Sequence, residues 1–231
     1  MLLCLCFMAC RPAAVPATGP VVYTARFDRP GLSDWRIEKS DGSVEVRDGA
    51  MEIDVGAGCT VWLARRLAAP VRIDFDVTVV QAGGPNDRCS DLNCFWMAID
   101  PNHPDDLFAD SGRRTGAFEE YHGFRLYYVG MGGNANTTTR FRRYTGTGER
   151  PLLPGHDLQA PEDLLTPNRR VHIRIVSTGT GIRYLRDGEC LFDVADEAPY
   201  LGGWFGFRTV QNHLRIHRFE VTSLGGDGLG S

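Results

Sequence analysis

Hydrophobic and polar residues alternate with a period of two along most of the chain from Val21 onward. The segment 73–79 is apolar at every second position, as expected for a strand with one face on a core, and the segment 171–175 repeats this pattern. Helical spacing is limited to a single turn around residues 161–165. The pattern therefore predicts an almost entirely β protein.

Two Asp-Gly pairs mark tight turns between alternating stretches, at Asp48-Gly49 and at Asp187-Gly188. Both pairs supply the positive φ angles that a type I′ hairpin turn requires. Together with twelve or more short strands at regular spacing, these turns predict a two-sheet antiparallel β-sandwich. The length of 231 residues suits one such domain.

The two ends of the chain differ from this pattern. The first ten residues form an apolar run that ends in Ala9-Cys10 and is similar to the end of a lipoprotein signal peptide, although no basic residue precedes the run. The proline-rich stretch that follows predicts an extended tether. We expect residues 1–20 to be a signal and tether, 21–224 the sandwich domain and 225–231 a glycine-rich flexible tail. The protein is thus predicted to be exported, periplasmic or at the cell surface, with membrane attachment through a lipidated Cys10 as an open alternative.

The charge balance excludes one class of partner. The net charge is −4 and the pI is about 5.9, which argues against nucleic-acid binding because the whole chain lacks a basic field. Lys39 is the only lysine among 25 basic residues, so the others are arginines. Arginine recognises carboxylates through two parallel hydrogen bonds, but a GC-rich genome produces the same bias without any functional reason.

Four cysteines fall within the predicted domain, at positions 59, 89, 94 and 190. Their pairing stays open: Cys89 and Cys94 are close enough in sequence to form a disulfide in an oxidising compartment, or they are free buried thiols. No spacing of cysteine or histidine predicts a metal centre. Calcium is an open alternative because Asp87, Asp91 and Asn93 carry oxygen ligands, although polar turns contain the same residues without any metal.

Alternate residues of four predicted strands point to one functional face. If these strands share a sheet, aromatic and arginine side chains would lie together on its outer face, where rings stack on sugars and guanidinium groups pair with carboxylates. The combination suits an acidic polysaccharide or oligosaccharide. A solvated face whose arginines pair with neighbouring carboxylates is the simpler alternative. The predicted face consists of Trp96, Arg125, Tyr127, Arg140, Arg142, Tyr144, Trp204 and Arg208.

This face leads to the hypothesis of a polysaccharide lyase that acts on a uronic-acid-containing glycan by β-elimination. Such a reaction needs groups that neutralise the carboxylate, a base for the C5 proton and an acid for the leaving oxygen. Arg140 and Arg208 would neutralise the carboxylate, and His122 or His213 would act as the base. The acid would be Tyr127 or Tyr144.

Two other functions stay open. A glycoside hydrolase would need two carboxylates across a cleft, for which Asp100 with Glu119 or Glu120 are candidates. The strand at 52–57 is similar to the Glu-x-Asp-x-x-Glu strand of laminarinase-type glycosidases, but Ala57 stands in place of the final glutamate, so the match fails. The second alternative is a non-catalytic glycan-binding module.

Four stretches of the chain carry distinctive polar and aromatic residues, at 84–88, 90–98, 132–144 and 206–213. In these stretches the chain resembles an uncharacterised bacterial family of exported proteins. The resemblance covers nearly all of residues 21–224 and implies a concanavalin A-like jelly roll associated with polysaccharide utilisation, without naming a reaction. More distantly, the layout is similar to jelly-roll polysaccharide lyases, whose diagnostic strand motifs are missing here. The asparagines of these stretches are expected to bind substrate together with Trp96, Arg125, Arg142 and Trp204. These asparagines are Asn93, Asn134, Asn136 and Asn212.

Overall fold

A computed structural model of the protein describes residues 17–225, and fourteen antiparallel strands account for most of that range. The lipoprotein-like segment at 1–10, the tether as far as residue 16 and the tail from residue 226 lie outside the described residues, so export and lipidation stay predictions. The strands are β1 (Thr18–Ala25), β2 (Trp35–Lys39), β3 (Ser43–Arg47), β4 (Ala50–Leu63), β5 (Leu67–Ala68), β6 (Val71–Val79), β7 (Leu92–Ile99), β8 (Arg125–Gly132), β9 (Thr138–Thr145), β10 (Asp157–Leu158), β11 (Arg170–Ser177), β12 (Gly181–Arg186), β13 (Glu189–Ala195) and β14 (Gly202–Leu224).

Helical structure within the described range is confined to single turns. A four-residue turn, α1 (Gly133–Asn136), joins β8 to β9 and contains left-handed residues. The others are 3-10 turns at Ser111–Arg113, Phe118–Tyr121 and Pro161–Asp163, of which the last confirms the helical turn predicted there. The first strand begins at Thr18, slightly before the predicted start of the domain.

Two long strands, β4 and β14, run through both sheets of the sandwich. The front sheet has the order β2-β4-β14-β7-β8-β9-β10. The back sheet has the order β4-β14-β6-β11-β12-β13, with β3 beside β4 and β1 beside the last part of β14. A register shift at Gln211, which has a positive φ of 43°, marks the passage of β14 from one sheet to the other. The predicted jelly-roll sandwich is confirmed.

The main core lies between the two sheets and is rich in aromatic rings, including Phe75, Phe205, Phe207 and Phe219. Both predicted Asp-Gly hairpin turns are confirmed. Asp48-Gly49 joins β3 to β4 and Asp187-Gly188 joins β12 to β13, and all four residues have positive φ.

A second apolar cluster covers the outer face of the front sheet. The residues between β7 and β8, here called the cover segment (100–124), fold over β2, β4, β14 and β7. Buried Glu38 of β2 holds this segment down: its Oε2 accepts hydrogen bonds from Trp62 Nε1 at 2.9 Å and from Tyr121 OH at 2.8 Å, and its Oε1 accepts one from Arg114 Nε at 2.8 Å. Close backbone packing of Gly116 on Gly58 adds a contact that leaves no space for a side chain at either position.

The predicted outer face is wrong in β7 and β8. Met97 has a positive φ of 50°, and the pairing register of β7 with both neighbours shifts around it. Because of this bulge, Trp96 points into the core between the sheets, while Phe95 points outward. In β8, Tyr127 also points into the core, and Tyr128 lies on the outer face in its place.

Candidate functional site

A row of five side-by-side residues crosses the outer face of the front sheet. Cross-strand pairing aligns Thr60 of β4, Arg208 of β14, Asn93 of β7, Gly130 of β8 and Arg140 of β9. Neighbouring strands are about 4.8 Å apart, so this row brings residues far apart in sequence into one line. Three of them, Asn93, Arg140 and Arg208, were predicted from sequence, and the register places Asn93 directly opposite Arg208.

The glycine in this row positions a tyrosine. A Cβ at Gly130 would overlap the hydroxyl of Tyr128, so the phenol lies along its own strand only because position 130 has no side chain. The hydroxyl is thereby held over the row between Asn93 and Arg140. Burial raises the pKa of Tyr128, which keeps the phenol protonated.

Arg208 is the most unusual residue of the site. It is 5% exposed, and no described carboxylate forms an ion pair with it. Its Nε has no hydrogen-bond partner, and its guanidinium carbon lies 4.3 Å from the ring centroid of Phe118. Asn93 beside it is 1% exposed, and its Oδ1 also lacks a partner. A buried cation without a counter-charge is costly, which indicates a place prepared for an anionic ligand.

A histidine of the site lies beside two aromatic rings. His122 lies 5.3 Å from Phe118 and 6.5 Å from Tyr144, measured between ring centroids. His122 Nε2 and Tyr144 OH are buried without a hydrogen-bond partner among the described residues. Burial, then Arg150 and Arg208, lower the pKa of His122, whereas burial raises that of Tyr144. The site therefore contains a neutral imidazole and a protonated phenol, a base and an acid.

Arginines surround this pair of residues. Arg140 binds Asp157 with two hydrogen bonds of 3.0 Å, so its charge is already matched. Arg142 donates to the carbonyl of Arg150, and the Arg150 guanidinium lies 5.9 Å from the ring of Tyr144. Neither Arg142 nor Arg150 forms an ion pair with a described carboxylate. A chain with net charge −4 thus concentrates positive charge on this face.

Two other predicted side chains of the face, Trp204 and Arg125, lie away from the row, Trp204 buried and Arg125 exposed. Trp204 is on the outer face, but Phe108 of the cover segment lies 6.0 Å from its ring and Arg66 lies 5.4 Å from it. Arg125, on the same side of β8 as Tyr127, lies 5.0 Å over the ring of Tyr200. Neither contributes to the row.

The remaining asparagines do not converge on the site. Asn212 is fully buried and bonded to Ser90 O, and its Oδ1 accepts a hydrogen bond from His213 N. Asn136 forms two hydrogen bonds of 2.9 Å with the backbone of Leu165. Their amides are occupied by the fold, so the predicted placement of both in a binding face is wrong. Asn134 is exposed in the turn α1.

His213 belongs to the back sheet and does not join His122. Leu214 beside it points into the core, so His213 faces away from the sandwich. Its Nε2 lies 2.6 Å from Glu52 Oε1 and its Nδ1 lies 2.9 Å from Asp87 Oδ1. Burial alone would lower the pKa of His213, but the hydrogen bonds to these two carboxylates raise it above 6.5.

We expect this ion-pair network to make stability depend on pH. The raised pKa means that the contribution of His213 is complete below pH 6.5 and is lost as the pH rises through the raised value. The difference in free energy of unfolding between wild type and His213→Gln, measured by urea denaturation, should therefore shrink over that range. His217→Gln is the control, because burial lowers the pKa of His217. A difference that stays constant or grows as the pH rises would contradict this prediction.

Two of the three carboxylates proposed for a hydrolase are occupied by loop structure. Glu120 accepts hydrogen bonds from the backbone of Thr115 and Gly116, and Asp100 Oδ1 accepts one from the backbone of Asn102. No described hydrogen bond occupies the Glu119 side chain, which lies close enough to His122 to raise its pKa in part. No pair of free carboxylates faces the row within the described chain.

The predicted calcium ligands are not all brought together: Asn93 Nδ2 donates to Asp91 Oδ1 at 3.4 Å, but Asp87 has other partners. Asp87 binds His213 and the backbone of Ala82, whereas Asp91 binds Arg88 and the hydroxyl of Ser90. Within residues 17–225, one group has the spacing of a metal site, formed by Asp100, His103 and Asp110 at the start of the cover segment.

Two further features concern the described residues as a whole. Cys89 and Cys94 do not form a disulfide, which favours the second of the two alternatives for them, although only Cys94 is fully buried and Cys89 is half-buried. None of the described helical turns has the length and hydrophobicity needed to cross a membrane.

Three residues of the site were not predicted from the sequence. Phe118 lies in a stretch without strand alternation, Tyr128 was assigned to the wrong face, and Arg150 follows a loop rich in turn residues. Each is defined by contacts between segments distant in sequence. Gly130, two residues after Tyr128, was the one local sequence signal for this site, because an isolated glycine in a strand often marks close packing.

Comparison with known proteins establishes the fold. A family model described as a domain of unknown function, DUF6250, matches residues 53–219. No match is found among curated proteins. A protein of unknown function with a galectin-like fold from Bacillus subtilis is 17% identical, with a TM-score of 0.71 over 90% of this chain and 98% of that one.

Two further solved structures share the architecture at low identity. An endo-β-1,3-glucanase from Pyrococcus furiosus is 8% identical, with a TM-score of 0.61 over 90% of this chain and 95% of that one. The carbohydrate-binding module CBM66 from Bacillus subtilis is 10% identical, with a TM-score of 0.52 over 90% of this chain and all of that one. At these identities the likeness concerns the fold alone.

Proposed function

We propose that this chain, which belongs to the DUF6250 family, is a carbohydrate-active protein that binds an acidic glycan on the outer face of its front sheet and cleaves it by β-elimination. The observation that carries the proposal is the buried, unpaired guanidinium of Arg208 next to three unpartnered polar atoms, on Asn93, His122 and Tyr144. A uronate supplies the anion and the hydroxyls that such a set of groups requires. Similarity in fold to a glucanase and to a carbohydrate-binding module supports the carbohydrate part of the proposal.

Each residue has a role that its surroundings allow. Arg208 binds the carboxylate and stabilises the negative charge that develops when the C5 proton leaves. Asn93 Oδ1 accepts a hydrogen bond from a sugar hydroxyl. The neutral His122 removes the C5 proton, and Tyr144 protonates the O4 leaving oxygen as the C4–O4 bond breaks and the C4=C5 double bond forms.

The low pKa of His122 also defines the expected pH range. A base must be unprotonated, and burial together with Arg150 and Arg208 lowers the pKa of this imidazole below 6.5. Activity is therefore expected to persist below the ordinary pKa of histidine and to fall at lower pH as His122 becomes protonated.

A non-catalytic glycan-binding module is the second candidate. The specific observation in its favour is the extent of burial at the site, where Tyr144 is fully buried and Phe118 covers Arg208. A covered site can hold a ligand without giving it the freedom that a reaction requires. A hydrolase is less well supported because no pair of free carboxylates on the described chain faces the row.

A panel of acidic and neutral polysaccharides separates the three functions. Incubation with pectic, alginate-like and glycosaminoglycan substrates is expected to produce ultraviolet absorbance from the unsaturated uronate. New reducing ends without this absorbance would indicate hydrolysis. Binding by calorimetry without any product would indicate a binding module, and neither binding nor product across the panel would reject the proposed function altogether.

A further inference from the structure

The row of polar residues is closed at one end. On the β2 side, Tyr121 and Arg114 of the cover segment bind Glu38, which pairs with Thr60 at the start of the row. Gly116 packs directly on Gly58 of β4. Tyr121 and Glu38 are almost completely buried, so a ligand cannot continue past Thr60 without separating the cover segment from the sheet.

The opposite end of the row is open. The side chains of Arg140 and Asp157, on the last two strands of the front sheet, are 27% and 24% exposed. Between Arg208 on β14 and Asp157 on β10 there are four strand-to-strand steps, or about 19 Å. This distance corresponds to the length of a short oligosaccharide lying across the strands.

A roof limits the site on a third side. Phe118 and Arg150 come from different loops and meet above the sheet, where the guanidinium carbon of Arg150 lies 5.7 Å from the ring of Phe118. Phe118 also lies 5.7 Å from Tyr128 of the sheet beneath it, so little space remains between roof and sheet. The unpaired Arg208 is thus at the inner, closed end, and the partly exposed Arg140 is toward the edge.

We propose that this site accepts the end of an acidic glycan chain and not its middle, with the terminal charged unit at Arg208 and the following units extending over Arg140 toward β10. The inference rests on the proposed function and adds the mode of attack: cleavage removes units from a chain end. A chain bound through its middle would have to occupy the space of Tyr121 and Gly116. Those residues are fixed by the buried ion pair between Glu38 and Arg114.

The stoichiometry of binding tests this directly. Calorimetric titration of the full chain with oligouronates of defined and increasing length is expected to give one bound protein per chain at every length, because each chain offers one end that fits. A bulky label on one end of a short oligouronate should abolish binding, while the same label on the other end should be tolerated. If the chain is cleaved, products of one small size should appear from the start of the reaction.

Different results would reject different claims. Several protein molecules on each long chain, or undiminished binding of chains labelled at both ends, would overturn chain-end recognition and leave acidic-glycan binding intact. Failure of every oligouronate to bind would reject the proposed function, and the inference with it. Arg47→Met is a matched control for charge, since Arg47 is an exposed arginine on β3 of the back sheet and its loss should change neither stoichiometry nor label tolerance.

Discussion

Replacement of Arg208 by methionine is expected to weaken binding of an acidic glycan by about 2–5 kcal/mol, or roughly 30- to 4,000-fold in Kd, because the ligand carboxylate would lose its buried partner. Methionine keeps the apolar contact with Phe118 and removes the charge. Turnover should fall at least as far, since the same guanidinium stabilises the charge that forms during β-elimination. Calorimetry and initial rates on the substrate identified by the panel are the measurements.

The stability of this variant distinguishes a binding residue from a structural one. Arg208 has no described ion-pair partner, so removing its charge relieves a desolvation cost, and the unfolding midpoint should stay constant or rise. Arg47→Met removes the same charge from an exposed position and should change neither binding nor stability. A lower midpoint for Arg208→Met with unchanged affinity would assign Arg208 to the fold and remove the main support for the proposed function.

Hydrophobic alternation predicted the outer-face residues correctly in some strands and wrongly in others, for a physical reason. In β9 and in residues 204–208 of β14, core residues alternate without a bulge, so alternation placed Arg140, Arg142, Tyr144 and Arg208 correctly on the outer face, although Tyr144 and Arg208 are themselves buried. In β7, all eight residues are buried, since the cover segment packs on the outer face as the core packs on the inner one. A strand buried on both sides has no polar face to mark its orientation.

The composition of the site was harder to predict than its location. The bulge at Met97 reverses the faces of β7, and no glycine or proline in that strand announces it. Phe118 joins the site through contacts between distant segments, which no local pattern encodes. His213 was one of the two histidines predicted as the base, yet the register shift of β14 at Gln211 places it on the back sheet. The sequence therefore predicted the kinds of side chain in the row better than it predicted which residues from other segments contact the row.

The cover segment itself depends on one buried carboxylate, and Glu38→Ala is expected to lower the free energy of unfolding by about 3–5 kcal/mol. Glu38 is completely buried, and its loss would leave the Arg114 guanidinium without its counter-charge and Tyr121 OH and Trp62 Nε1 without their acceptor. For a domain of this size the unfolding midpoint should fall by about 6–20 °C.

The stability of Glu38→Gln, which retains an acceptor and loses the charge, should lie between that of wild type and that of Glu38→Ala. Glu45→Ala on the exposed part of β3 should change stability by less than about 0.5 kcal/mol.

Because Glu38 fastens the cover segment, hydrogen exchange of residues 107–124 should accelerate more than that of the back sheet. Opening the closed end in this way should also relax chain-end recognition, so that long oligouronates bind more than one molecule of the Glu38→Gln protein. Unchanged exchange in the cover segment, with a loss of stability below about 1 kcal/mol, would mean that the apolar contacts of Phe118 and Phe124 hold the segment without Glu38.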